Sequence, residues 1–223
     1  MVVLGSAIAL VIWGLASQQR RVVSYDVRGS LGGVSLDLGG ANVTIAGAGR
    51  RASVGVVRTD RYAFGHHVDS TRSTAGGVFR IQSRCPRTLF HACTAGYRLT
   101  VPDNVPVDVR TEGGNVSFDG YKGSVRIVTR SGNVDVRSFC GFSLQASTAS
   151  GHVNAATSCA PQQLSLRSTS GDVNALVPPG RYRVDAESNS GTRLVHGVTA
   201  AGDAVFSIQT LSNSGDVRVE TRP

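Results

Sequence analysis

The sequence predicts an all-β chain, a β-helix or flattened β-solenoid of two-strand repeats, and three observations predict it. A Ser-Gly-Asp-like tripeptide recurs six times, on Gly114, Gly132, Gly151, Gly171, Gly191 and Gly215, at spacings of 18, 19, 20, 20 and 24 residues. The residues flanking each glycine alternate apolar and polar, the period of a half-buried strand. The composition, with 27 glycines, few aromatics and single Trp and Met residues, is that of short strands and tight turns. An antiparallel β-sandwich is the alternative, because two-strand units joined by turns can also meander as hairpins.

The chain opens on Val2 to Ser17, VVLGSAIALVIWGLAS, which carries no charge and predicts one N-terminal apolar helix. At 16 residues it is shorter than the roughly 20 that a spanning helix needs. Gly14-Leu15-Ala16 resembles a small-x-small cleavage site, while Arg20 and Arg21 follow the run, opposite to the usual bias for an exported domain. Residues 1–21 are therefore read as a membrane anchor or signal segment with a short linker. An uncleaved anchor is preferred over a cleaved signal, which would make the protein secreted, or a buried core segment.

Residues 22–223 are read as one β-repeat domain. A seventh copy of the repeat is expected near its start, with Ala41 in the glycine position, Val34, Leu36 and Leu38 before it, and Val43 and Ile45 after it. Residues 46–104 do not fit the template and are expected to form an irregular basic segment or cap. The regular repeats occupy 105–223. Seven residues before each glycine stand Val107, Val125, Leu144, Leu164, Val184 and Ile208, and two after stand Val116, Val134, Val153, Val173, Arg193 and Val217. Stacking places each residue over its counterpart about 4.8 Å away and closes one core. Thr111, Thr129, Thr148, Ser168, Ser188 and Ser212 fill the position three before the glycine and are expected to form a hydroxyl ladder, each pairing with the next. The glycine supplies the positive φ of the turn, and Asp or Asn after it bonds neighbouring backbone.

Cys140 and Cys159 both lie eight residues after their repeat glycines, so stacking brings them within disulfide range. Cys85 and Cys93 are expected to close a local loop. Four cysteines with a geometric reason for each pair suit an exported protein. A four-cysteine metal site has no CxxC to support it, and reduced thiols in a cytoplasmic protein are the other reading. The histidines show no ligand spacing. No metal or cofactor is expected.

Charge is uneven. Residues 50–100 hold nine Arg and two Asp, residues 1–49 three Arg and two Asp, and residues 101–223 eleven basic and eleven acidic side chains. Arg50, Arg51, Arg58, Arg61, Arg72, Arg80, Arg84 and Arg87 are the candidates for facing an anionic partner, such as phospholipid headgroups, wall polymer or an acidic protein. The bland alternative is a solvated arginine-rich surface. Nucleic acid is not the expected partner, since no zinc-finger spacing, RNP-like aromatic run or basic helix appears.

The segments FRIQSRCP at 79–86, YRLTVPDNVPVDVRT at 97–111, and the later TRSGNVDV, STSGDVNA and SNSGDVRV resemble the adhesin-like family of domain of unknown function 4097, a toast-rack-type β-solenoid. The resemblance covers residues 22–223 and implies a membrane-associated or exported β-repeat domain with no established catalytic residues. It also implies a scaffold or sensing role at the cell envelope. The favoured function is thus a non-catalytic, membrane-anchored, extracytoplasmic interaction module. A polysaccharide-acting β-helix enzyme is one alternative. It would need clustered carboxylates, whereas Asp108, Asp119 and Asp135 are scattered among arginines. A structural subunit of an envelope assembly, oligomerising through an open solenoid end after the last copy, is the other.

Overall fold

The computed structural model describes residues 18–86 and 93–222. The apolar helix expected at the N-terminus and the candidate Arg87 lie outside the described residues. Among those described, no helix is long and apolar enough to cross a membrane.

The first strands are β1 (Gln19–Arg28), β2 (Gly33–Leu38), β3 (Ala41–Gly47), β4 (Ser53–Tyr62), β5 (Asp69–Ala75), β6 (Val78–Arg84) and β7 (Cys93–Val101). The regular repeats follow as pairs: β8 (Val107–Gly113) with β9 (Val116–Asp119), β10 (Val125–Ser131) with β11 (Val134–Phe139), and β12 (Ser143–Ser150) with β13 (Val153–Thr157). Next come β14 (Gln163–Ser170) with β15 (Val173–Val177), and β16 (Arg181–Ser188) with β17 (Arg193–His196) and the short β18 (Thr199–Ala200). The last pair is β19 (Ser207–Ser214) with β20 (Val217–Thr221). Strand β1 starts inside the segment read as linker.

Two ten-stranded sheets face each other. Sheet 1 runs β1-β4-β7-β3-β9-β11-β13-β15-β20-β17, and sheet 2 runs β18-β16-β19-β14-β12-β10-β8-β2-β6-β5. Each repeat gives one strand to each sheet and stacks in parallel on its neighbour. The columns read from sequence are the observed register: Val107 pairs with Val125, Val125 with Leu144, and Val116 with Val134. Val109, Ile127, Leu144, Leu164, Val134 and Val173 are each at most 2% exposed. The early copy also falls in register, with Val34 beside Val107 and Val43 beside Val116. Among the described residues antiparallel pairing is confined to one end, where β4 pairs with β7 and β1 with β4 in sheet 1, and β5 with β6 in sheet 2.

Two expectations about the stack are corrected. Part of the 46–104 segment is a rung, because β6 and β7 stack on β2 and β3 with Phe79 beside Val34 and Tyr97 beside Val43. It escapes the template because the chain takes fourteen residues from Ser83 to Tyr97, where Thr111 to Val116 takes five. Nor do the copies stack in chain order. The sixth copy, β19 and β20, lies between the fourth and the fifth, so β16, β17 and the short β18 form the outermost rung at that end. An outermost rung is open to water on one side. Arg193, the one charged residue in its apolar column, is accordingly exposed.

The hydroxyl ladder is also corrected. The hydroxyls do not pair with one another. Thr148 Oγ1 donates to the Gly132 carbonyl (3.1 Å), Ser168 Oγ to Gly151 (2.9 Å), Ser212 Oγ to Gly171 (2.8 Å) and Ser188 Oγ to Gly215 (2.8 Å). In the earlier rungs Thr111 and Thr129 bond carbonyls of their own turns. The backbone carbonyl is the nearer and stronger acceptor, and it would otherwise be left unpaired at a tight turn. Gly132 and Gly151 have φ of 140° and 142°, and a Cβ on Gly151 would fall on the Gly132 carbonyl oxygen. Turn geometry and stacking distance both demand glycine there.

The residue after each glycine builds a second ladder. The backbone N–H of Asn133 donates to Asn115 Oδ1 (2.9 Å) and that of His152 to Asn133 Oδ1 (2.9 Å). Asp172 N–H donates to His152 Nδ1 (3.0 Å), Asp216 N–H to Asp172 Oδ1 (2.9 Å) and Thr192 N–H to Asp216 Oδ1 (2.9 Å). Both disulfides form. Cys140–Cys159 joins adjacent rungs with Cα atoms 4.7 Å apart, and Cys85–Cys93 closes the insertion between β6 and β7 at 5.7 Å.

Candidate functional site at the basic end of the stack

The charge asymmetry along the sequence becomes an asymmetry in space. Strands β4 to β7 build the antiparallel cap and the first rung, so the described arginines of residues 50–100 gather at that end with Arg20, Arg21 and Arg28 of β1. Beyond it, several acids on the regular rungs are taken up locally. Asp108 meets Arg110 (3.1 Å) and Arg126 (4.0 Å), Asp135 meets Arg137, and Asp216 meets Arg218 (3.3 Å). Exposed pairs of this kind add little stability, but they cancel the local field.

The candidate arginines divide by environment. Arg58 points inward and pairs with the buried Asp60 at 2.9 Å. Arg72 lies over the Tyr25 ring, 4.4 Å from its centroid. Arg84 reaches across to β2, donating to both Asp37 Oδ1 (2.9 Å) and the Asp37 carbonyl (3.0 Å). These three are committed to the fold. Arg50 and Arg51 are exposed between β3 and β4. Arg51 and Arg28 border a groove of about 630 Å³ whose walls include Leu31, Val54, Pro102 and Val105. Arg80 is exposed on the outer face of sheet 2.

Arg61 belongs to a different setting, a groove of about 490 Å³ on the outer face of sheet 1 that it shares with Arg20 and Arg98. The register fixes its plan. Arg20 pairs with Arg61 across β1 and β4, and Arg61 with Thr94 across β4 and β7. In the next row Thr59 pairs with Gly96, and Gly96 with Asn42. In the row after, Val57 pairs with Arg98, and Arg98 with Thr44. The row of Thr59 and Gly96 thus has guanidinium-bearing rows on both sides, each about 7 Å away along the strands. None of Arg20, Arg61 and Arg98 makes an ion pair or side-chain hydrogen bond to another described residue. Asp26, one row beyond Arg98, is the only carboxylate that the outward positions of these four strands supply. Sequence reasoning did not single out Arg20 or Arg98 as site residues, since the antiparallel pairing of β4 with β1 and β7 that brings them beside Arg61 has no local signature.

The histidines are scattered. His67 packs its ring against Tyr62, with centroids 4.3 Å apart, and His152 serves the turn ladder. Among the described residues no three His, Cys, Asp or Glu side chains are placed to hold a metal.

The fold is similar to that of a candidate cell adhesion protein from Clostridium sporogenes, at TM-score 0.55 and 10% identity, over 92% of this chain and 100% of that one. A candidate adhesin from Bacteroides fragilis aligns at TM-score 0.31 and 9% identity over 91% of this chain and 97% of its own. No curated protein matches the chain in sequence. Residues 103–220, more than half of the chain, match the sequence profile of the Toastrack DUF4097 family. The chain belongs to the Toastrack DUF4097 family.

Proposed function

We propose that the chain is a membrane-anchored, extracytoplasmic β-repeat scaffold, without catalytic activity, that presents its basic end to an anionic partner. The observation that carries this reading is the segregation of charge onto the capped end, where Arg20, Arg61 and Arg98 make no ion pair with another described residue, while several acids of the regular rungs meet arginines. The uncharged run Val2 to Ser17 leads directly into β1, so an anchor would hold this same end against lipid headgroups. Two disulfides fit an oxidising compartment. The test is association of the full chain with vesicles of phosphatidylglycerol against vesicles of phosphatidylcholine alone, in low and high salt. Charge-driven binding gives an excess on the anionic vesicles that salt removes. Equal binding to both, unchanged by salt, overturns the anionic partner.

A further inference from the structure

We propose that the groove over Gly96 is a binding site for a phosphate-type oxyanion, held between Arg61 with Arg20 on one side and Arg98 on the other. This rests on the reading of the basic end as anion-facing and deepens it, because it replaces a diffuse patch with one pocket of defined floor.

Gly96 carries the inference. A glycine inside a strand weakens it, and where neither backbone conformation nor packing requires one, it marks a place where something approaches the backbone closely. Gly96 has no positive φ, and a Cβ built on it meets nothing nearer than the Thr59 carbonyl oxygen at 3.9 Å. Gly55, on the same face, is different: its Cβ would press on Thr100 Oγ1 at 2.5 Å and Asp26 Oδ1 at 3.2 Å. The fold therefore explains Gly55 and leaves Gly96 unexplained.

The surroundings specify the ligand. Thr59 and Thr94 flank the floor with hydroxyls that bond no other described side chain or backbone group. Guanidinium groups from two rows can converge over Gly96 from opposite sides. Planar, fixed donors suit the oxygens of a phosphate better than a single carboxylate, which would occupy one of them. Val22, 54% exposed beside Thr59, adds an apolar contact at the edge. The same chemistry comes from a free phosphate or from a phosphodiester headgroup in a membrane.

The experiment follows backbone amide shifts of Thr59, Thr94 and Gly96 in the full chain, held in neutral detergent micelles. One arm titrates inorganic phosphate and the other dopes the micelles with phosphatidylglycerol. The site predicts saturable shifts at these amides. It predicts weakening of about tenfold in R61Q and in R98Q, loss of the Thr59 and Thr94 shifts in G96V, and no change in R130Q on the opposite sheet. A Cβ at 96 meets nothing nearer than the Thr59 carbonyl oxygen, valine suits a strand, and melting curves confirm that G96V is folded. Shifts with phosphate identify a soluble oxyanion, and shifts with lipid alone identify a headgroup; both support the site. Binding that G96V leaves intact while R61Q weakens it overturns the groove and leaves the basic scaffold standing. Wild-type affinity in R61Q, R98Q and G96V alike overturns both.

Discussion

Thr148 donates its hydroxyl to the carbonyl of Gly132 one rung away, at 3.1 Å, and that same oxygen occupies the place where a side chain on Gly151 would begin. Threonine and glycine are thus two halves of one stacking device. Thr148→Val keeps the shape and removes the donor, so it should cost about 1 kcal/mol. Gly151→Ala adds positive-φ strain to a backbone overlap and should cost more, roughly 2–3 kcal/mol. Urea unfolding of both variants checks the order, and equal losses would show that the carbonyl tolerates the intrusion.

His152 is the odd member of the turn ladder, accepting the Asp172 N–H on Nδ1 where other rungs use a side-chain oxygen. His152→Asn should restore the common acceptor and leave stability equal or raised by a few tenths of a kcal/mol, whereas His152→Ala should lose about 1 kcal/mol. Thermal unfolding of the pair decides between a ladder contact and a surface histidine with no structural duty.

At the far end of that ladder, Asp216 accepts the Thr192 N–H at 2.9 Å, and this bond, helped by Arg218, holds its carboxyl below the ordinary value of 3.8. A lowered folded pKa means that the contribution is present above the unfolded value and is lost as pH falls through the folded one. Docking of β17 should therefore be independent of pH above about 4 and loosen in more acidic solution. Hydrogen-exchange protection of the Thr192 amide measures it. Asp216→Asn retains an oxygen acceptor and should abolish the acid dependence.

Much of the stack was legible because each inward column needs the same kind of residue at a fixed offset from a glycine. Val107, Val125 and Leu144 declare their register by that offset alone. What was not legible arises where neighbours in space are not neighbours in the chain. The fourth copy pairs with the sixth, and nothing local to Leu164 or Ile208 specifies that choice. The 24-residue step to Gly215 and Arg193 in an apolar column were the visible traces of it. The charge excess of residues 50–100 maps to one end of the molecule. Yet Arg58, Arg72 and Arg84 looked identical in sequence to Arg61, and only their partners Asp60, Tyr25 and Asp37 set them apart.

The Cys140–Cys159 bridge joins two rungs that already pair in parallel, with Cα atoms 4.7 Å apart. Its effect should come mainly from restricting the unfolded chain across a separation of 19 residues, for which loop-closure entropy gives about 3 kcal/mol. Replacing both cysteines with alanine should lower stability by that order without changing the fold. The Cys85–Cys93 bridge closes a shorter loop and should contribute less. Denaturant midpoints of the two double variants give the comparison.

The swapped order at the far end makes a sharper prediction. Strand β16 pairs with β19 and β17 with β20, while β14 and β15 pair with that inserted copy rather than with β16 and β17. Removing residues 207–223 therefore deletes an interior rung, leaving β17 without a partner and β16 with only the two-residue β18. Removing residues 181–205 and joining the ends through a short glycine-serine linker deletes only the outermost rung. The first deletion should free residues 181–200 to rapid amide exchange and expose Leu164 and Val173 to water. The second should keep β14 and β15 protected by β19 and β20. Exchange mapped by mass spectrometry reads both, and a first deletion that left residues 181–200 protected would mean that the fifth copy can dock directly on the fourth.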